Sequence, residues 1–155
     1  MASPLYLPSC FRATSQGRFR VFLRRGLEEA LTDLLAPLET LWQRLERATP
    51  VARGRGDVAL WPLAGRPERA VLRRYAHGGL AAGLLGHLLW GQGRAVRELA
   101  MTERAREADV AAPVALAAVV ERLFGPVCRA VLVTAEVQAA EDMVHFCRRL
   151  ADEQP

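Results

Sequence analysis

The chain contains no lysine and no asparagine. All 21 of its Lys-plus-Arg cations are therefore arginines, and the formal charge of +4 rests on guanidinium groups alone. A GC-rich genome, which favours Arg, Ala, Gly and Pro codons, is cause enough for both absences, but each removes a residue type from any site the fold builds. Cysteine is also sparse. Cys10, Cys128 and Cys147 are odd in number and form no CxxC pair, which argues against a disulfide framework and a zinc site and for reduced, buried thiols. Pro4 and Pro8 interrupt the first apolar run, which lacks a basic start, so a signal peptide is not expected and the sequence reads as cytoplasmic. Residues 78–93 form an uncharged run, but it has only 16 residues, six of them glycine, against the roughly 20 apolar residues that cross a bilayer.

What is present is globular. At 155 residues, 51% hydrophobic and 25% charged, the chain can bury the core of one domain. Its arginines are scattered, with no polybasic tract interleaved with aromatics, so no nucleic-acid partner is expected.

Along the chain, residues 19–23 read as a strand after a turn at Ser15-Gln16-Gly17. Leucines at helical spacing from Leu27 to Leu45, broken by Pro37, predict two short helices with Pro37 in the first turn of the second. Arg53-Gly54-Arg55-Gly56 is a loop or tight turn. Val58, Leu60 and Leu63 then alternate with smaller residues as a strand, and a turn at residues 64–67 leads to a strand over 70–75. On that strand Val71, Arg73 and Tyr75 share one face, and Leu72 and Arg74 the other. Residues 80–90 have a roughly helical apolar period, and a helix is expected over 94–108. Two apolar β-branched runs joined by Gly125-Pro126 read as a hairpin. A last helix should carry Met143, Val144, Cys147 and Leu150 on one stripe. The sum is an α+β fold, a mostly antiparallel sheet carrying one long helix, with a helical pair in front.

Gly54-Arg55-Gly56, Val71-Leu72-Arg73-Arg74-Tyr75, His77-Gly78-Gly79-Leu80, residues 94–98, residues 110–113 and Leu132-Val133-Thr134-Ala135-Glu136 together resemble, in order and spacing, the 3-deoxy-D-manno-octulosonic acid (Kdo) kinases. These are lipopolysaccharide core kinases of Gram-negative bacteria with a protein-kinase-like fold. The resemblance runs from about residue 11 to residue 150 and covers the N-terminal lobe of that fold. It implies a lobe over 51–139, an N-terminal extension over 1–50, and a helix after the hinge over 140–155. The activity implied is transfer of the γ-phosphoryl group of ATP, with Mg²⁺, to the Kdo sugar of lipid A. Gly54, Arg55 and Gly56 would belong to the loop over the phosphates. Arg73, on the strand of Val71, would occupy the place of a phosphate-pairing Lys, Glu98 would be its helix partner, and Glu136 and Val137 would lie in the hinge that binds adenine.

Without the resemblance, Gly54-Arg55-Gly56 is a plain turn, Arg73 a solvated strand residue, and Glu98 a partner for Arg94 one turn back. His87 and His145 read as core or surface histidines. The stretch from Leu80 to Trp90 either packs on its own sheet or rests at a membrane interface with Trp90 as anchor, the latter fitting peripheral association with the inner membrane and a lipid-linked acceptor.

The sequence has no Asn and no His-x-Asp triplet, and its only Asp residues after Glu98 are Asp109, Asp142 and Asp152. A catalytic loop and Mg²⁺ ligands are thus missing from these residues, and no catalytic or metal-ligating residue is assigned. The expectation is a lobe inactive by itself, either a truncated gene product or one half of a split protein whose second lobe is a separate polypeptide. The alternative is a noncatalytic nucleotide-binding or scaffolding lobe that docks on a partner.

Overall fold

The computed structural model describes residues 6–47, 50–53, 57–75, 86–91, 93–138 and 149. Its centre is a long hairpin of two antiparallel strands, β7 (Ala115–Phe124) and β8 (Val127–Ala135). Six consecutive residues of β7, from Ala115 to Val120, are buried. A strand covered on both faces has no reason to alternate, which is why it reads as an unbroken apolar run.

The other strands add to the flanks of this hairpin. Beside β7 lie β2 (Phe19–Arg24) and then β1 (Phe11–Gln16). Beside β8 lie β5 (Arg69–Arg74), β4 (Asp57–Pro62) and β3 (Pro50–Arg53) in turn. A two-residue strand, β6 (Leu89–Trp90), pairs with Val127 and Cys128, the part of β8 that β5 does not reach. Every pairing is antiparallel.

One face of the sheet is covered by α1 (Thr32–Leu35), a 3-10 turn (Leu38–Thr40) and α2 (Leu41–Arg47). Leu31, Leu34, Leu38, Leu41, Trp42 and Leu45 pack there against Ala70, Leu72, Val119, Val131 and Val133. On the opposite face lies the 15-residue α3 (Gly93–Glu107), whose buried stripe runs Ala95, Val96, Leu99, Ala100 and Glu103. It meets Ala115, Ala118, Ala130 and Leu132. With alanines on both sides of this interface, little bulk holds the helix away from the sheet. The result is the α+β fold that the sequence predicts, with Pro37 just ahead of the 3-10 turn that leads into α2.

Three readings are corrected. The N-terminal region carries two strands, because β1 pairs with β2 along its whole length and the sequence shows alternation only in the second. In β4 the small Ala59 is the residue buried under the helical pair, with Trp61 packed against that core, while Val58 and Leu60 are half-buried on the other face. Bulk there follows the space left by the helices, not the alternation of large residues. The apolar segment ending at Trp90 finishes as a strand and not as a helix, because Leu89 and Trp90 complete the open flank of β8. Residues 76–85, and the last helix expected with Met143, Val144, Cys147 and Leu150, lie outside the described residues.

Two buried carboxylates pin the layers together. Glu121, with no exposed surface, receives Arg18 at 2.6 Å and is also paired with Arg129, whose guanidinium lies 4.5 Å from the centre of the Trp42 ring in α2. Glu103 of α3 is paired with Arg24 of β2, which also donates to the Ala115 carbonyl at 2.7 Å. Removing one member of such a set leaves the rest buried and uncompensated. Glu121→Ala is therefore expected to cost about 3 kcal/mol in urea unfolding, the low end for a buried pair because both arginines reach solvent, with Glu121→Gln costing less.

Candidate nucleotide site

The face of the sheet beneath α3 presents side chains in rows, because directly paired residues of antiparallel strands point the same way. Leu60, Val71 and Thr134 form one row and Val58, Arg73 and Leu132 the next. Val71, Arg73, Leu132 and Thr134 form the floor of a cavity of about 300 Å³, closed by Glu98 and Thr102 of α3 and by Pro113 of the connector into β7. The walls are mostly apolar, and the charge is concentrated in Arg73 and Glu98.

Those two side chains form an ion pair between β5 and α3. The hydroxyl of Tyr75, two residues along the same strand face, donates to the second oxygen of Glu98 at 2.7 Å. Both carboxylate oxygens are thus held. Tyr75 is only 4% exposed, and its ring is flanked by Arg73 at 5.6 Å and Arg94 at 5.4 Å from the ring centre. Burial pushes its hydroxyl above the ordinary phenol range against the opposing pull of Arg73 and Arg94, so it stays protonated and donates. Thr102, one turn after Glu98, returns its hydroxyl to the Glu98 carbonyl at 2.8 Å. His87 fixes the end of β5, with Nδ1 3.1 Å from the Tyr75 carbonyl oxygen.

Of the residues singled out in the sequence, Val71, Arg73 and Glu98 come together in this cavity. Arg94 does not hold Glu98 from one turn back; it lies over the Tyr75 ring instead. Glu136 and Val137 follow the end of β8, outside the cavity wall. There Glu136 pairs with Arg69 through two bonds of 2.7 and 2.5 Å, and its N–H donates to the Arg69 carbonyl at 2.9 Å. Arg69 holds the Glu136 carboxyl below the ordinary carboxylate range. Gly54, Arg55 and Gly56 lie outside the described residues; the strands on either side of them are paired, with Arg53 opposite Asp57.

Sequence reasoning left out Tyr75, Thr102, Pro113, Leu132 and Thr134 as parts of the site. The signal for Tyr75 was available, since period-two alternation puts it beside Arg73. The others depend on which strands pair and where the connector turns, and neither follows from periodicity.

A cation on a sheet strand held by a carboxylate on the long helix beneath that sheet, beside a partly apolar cavity, is the arrangement of a protein-kinase-like N-terminal lobe. The lipopolysaccharide kinase (Kdo/WaaP) family matches residues 39–155, and the chain belongs to that family. No curated protein and no solved structure matches it. The family match begins in the 3-10 turn, so β1, β2 and α1 lie outside it although β2 is hydrogen-bonded to β7. No helix among the described residues is long and apolar enough to cross a membrane.

Two tests follow from the geometry. Tyr75→Phe keeps the ring and loses the donor, and should destabilise the fold by about 1.5 kcal/mol in thermal or urea unfolding. The folded-state pKa of Tyr75 is raised, so its contribution is complete below the ordinary phenol range and lost as pH rises through the folded value; that alkaline loss should be missing in Tyr75→Phe. Glu136 behaves in the opposite sense. Its lowered pKa gives stability that is present above the ordinary carboxylate value and lost as pH falls, and Glu136→Gln should flatten that acid limb in a stability profile against pH.

Proposed function

We propose that these residues are the nucleotide-binding lobe of an ATP-dependent kinase that phosphorylates the Kdo sugar of lipid A in lipopolysaccharide core assembly, and that by themselves they hold nucleotide without transferring its phosphoryl group. The observation that carries this reading is the Arg73–Glu98 ion pair in the wall of a cavity with apolar walls. The family match supplies the reaction class.

The residues present fit a nucleotide. Val71, Leu132 and Pro113 offer apolar surface to a base, and Arg73, anchored by Glu98 and still 45% exposed, offers donors to phosphate oxygens. Bound ATP would supply the γ-phosphoryl group. Glu98 and Tyr75 act before any chemistry, fixing the direction of the Arg73 guanidinium so that little is spent on ordering it. The Glu136 N–H is already taken by Arg69, so an adenine contact there would use the Glu136 carbonyl or the backbone of Val137. The loop containing Gly54, Arg55 and Gly56 would close over the phosphates.

Among the described residues no group of His, Cys, Asp and Glu is placed to hold a metal ion, and the sequence has no Asn. On this reading the groups that bind Mg²⁺ and orient the sugar hydroxyl come from a second lobe on a separate polypeptide.

ATP at about a hundred times its Kd should stabilise the chain by about 2.7 kcal/mol, a rise in Tm of roughly 5–10 °C by calorimetry. Arg73→Ala should abolish that rise, and an equal rise in the variant would sink the reading. Incubation of the purified chain with ATP, Mg²⁺ and Kdo-lipid A should yield no phosphorylated lipid.

A further inference from the structure

The sheet has two outer edges, β1 and β3, and they are built differently. β3 is four residues long, opens on Pro50, which has no N–H to offer, and shifts register between Pro50 and Ala52. Shortness, proline and an irregular ladder are devices by which an edge strand refuses a further strand. β1 has none of them. Its six residues pair with β2 in unbroken register, include no proline, and carry a single charge, on Arg12. Every residue of β1 after Phe11 is exposed.

The register decides which main-chain groups of β1 are open. The Arg25 N–H donates to the Cys10 carbonyl at 2.9 Å, one step beyond the Phe11–Arg24 pair. Bonded and non-bonded pairs alternate along an antiparallel ladder, so Arg12, Thr14 and Gln16 bond to β2, while Phe11, Ala13 and Ser15 turn their N–H and C=O groups outward. The Phe11 N–H is taken by the Pro8 carbonyl at 3.0 Å. The main-chain groups of Ala13 and Ser15 meet no partner among the described residues. β1 also lies ahead of residues 39–155, so this open edge belongs to chain outside the family match.

We infer that β1 is a dimerisation strand, pairing antiparallel with β1 of a second copy of this chain about a two-fold axis and joining two sheets into one. The side chains favour a copy of the same strand. Such an axis sets a residue opposite its own copy, and with Ala13 or Thr14 at the centre Arg12 faces Thr14 or Gln16 of the second copy, so no like charges meet. Either register uses the N–H groups of Ala13 and Ser15 in both copies. A foreign strand would find the same main-chain bonds but, along Ala13, Thr14 and Ser15, only small side chains to recognise. The guarded edge at β3 closes the assembly at two copies. β1 lies three strands from β8, roughly 14 Å from the cavity floor, so the pairing is independent of the nucleotide reading.

Sedimentation equilibrium of the full chain over micromolar to millimolar concentrations tests it. The mass should rise from 17.1 kDa toward twice that value and no further. Ala13→Pro removes an outward donor and leaves the bonds to β2 in place, since proline is tolerated where the N–H faces away from the sheet, and it should raise the dimer dissociation constant at least about tenfold. Hydrogen exchange gives an independent readout: the amides of Ala13 and Ser15 should slow as concentration rises, and those of Arg12 and Thr14 should change far less. If Ala13→Pro does not fold, Ala13→Lys decides in its place, because it keeps every main-chain bond and brings two cations together near the axis. A monomer at every concentration overturns the proposal. So does a dimer that the folded variant leaves at full strength, exchange at Ala13 and Ser15 that ignores concentration, or growth beyond two copies.

Discussion

The burial of β7 on both faces is the constraint on which the rest of the structure depends. From Ala115 to Val120 this strand has no side open to water, so two separate layers have to be recruited to cover it. The helical pair supplies leucines to one face, and α3 supplies Ala95, Val96, Leu99 and Ala100 to the other. A bulge between Ala115 and Ala117 turns Leu116 and Ala117 toward the same core, which lets β7 serve both layers at its start. Hydrophobic burial of this kind is strong but has no direction. It brings α3 to the sheet without fixing its position along it.

Position is fixed by charge. Glu98 reaches Arg73 on β5 and Tyr75 just past its end, and Glu103, five residues later, reaches Arg24 on β2. The two contacts lie on opposite sides of the central hairpin, so the helix is registered against both halves of the sheet at once. Their energies differ in kind. The Arg73–Glu98 pair is partly solvated and adds modestly to stability. Glu103 is nearly buried, and loss of Arg24 would leave it only the longer contacts to Arg106 and the Cys10 thiol, each at 3.7 Å. A pair that contributes little to folding yet is held at both carboxylate oxygens by neighbouring groups is better explained by the direction it imposes on Arg73 than by the stability it adds.

How much of this was legible in the sequence depended on whether the signal was local. The β7–β8 hairpin and α3 were read closely, because an apolar β-branched run broken by Gly125-Pro126 and a helix without internal Gly or Pro are decided by neighbours in the chain. Arg73 and Tyr75 were placed on one face by alternation alone. The burial of Ala59 ahead of Leu60 was not legible, since it follows from the helical pair lying over that face. Nor was the fate of Trp90, which depended on β5 leaving the start of β8 unpaired. The site showed the same division: Arg73 and Glu98 could be matched by resemblance, whereas Leu132 and Thr134 enter it through the register of β5 on β8. Glu121 gave no signal at all, because the arginines that make its burial tolerable come from the β1–β2 turn and from β8.

The absence of lysine acquires a physical meaning in this setting. Every ion pair among the described residues uses a guanidinium, and several of those arginines also lie over an aromatic ring: Arg24 over Phe11, Arg129 over Trp42, and Arg73 over Tyr75. A planar, delocalised cation can pair with a carboxylate through its edge and present its face to a ring at the same time, which the compact ammonium of lysine cannot do in one geometry. At position 73 this doubles the restraint, since the ring that supports the guanidinium belongs to the residue whose hydroxyl holds the other oxygen of Glu98. Arg73, Tyr75 and Glu98 form a closed triangle, and movement of α3 away from β5 has to break two of its sides together.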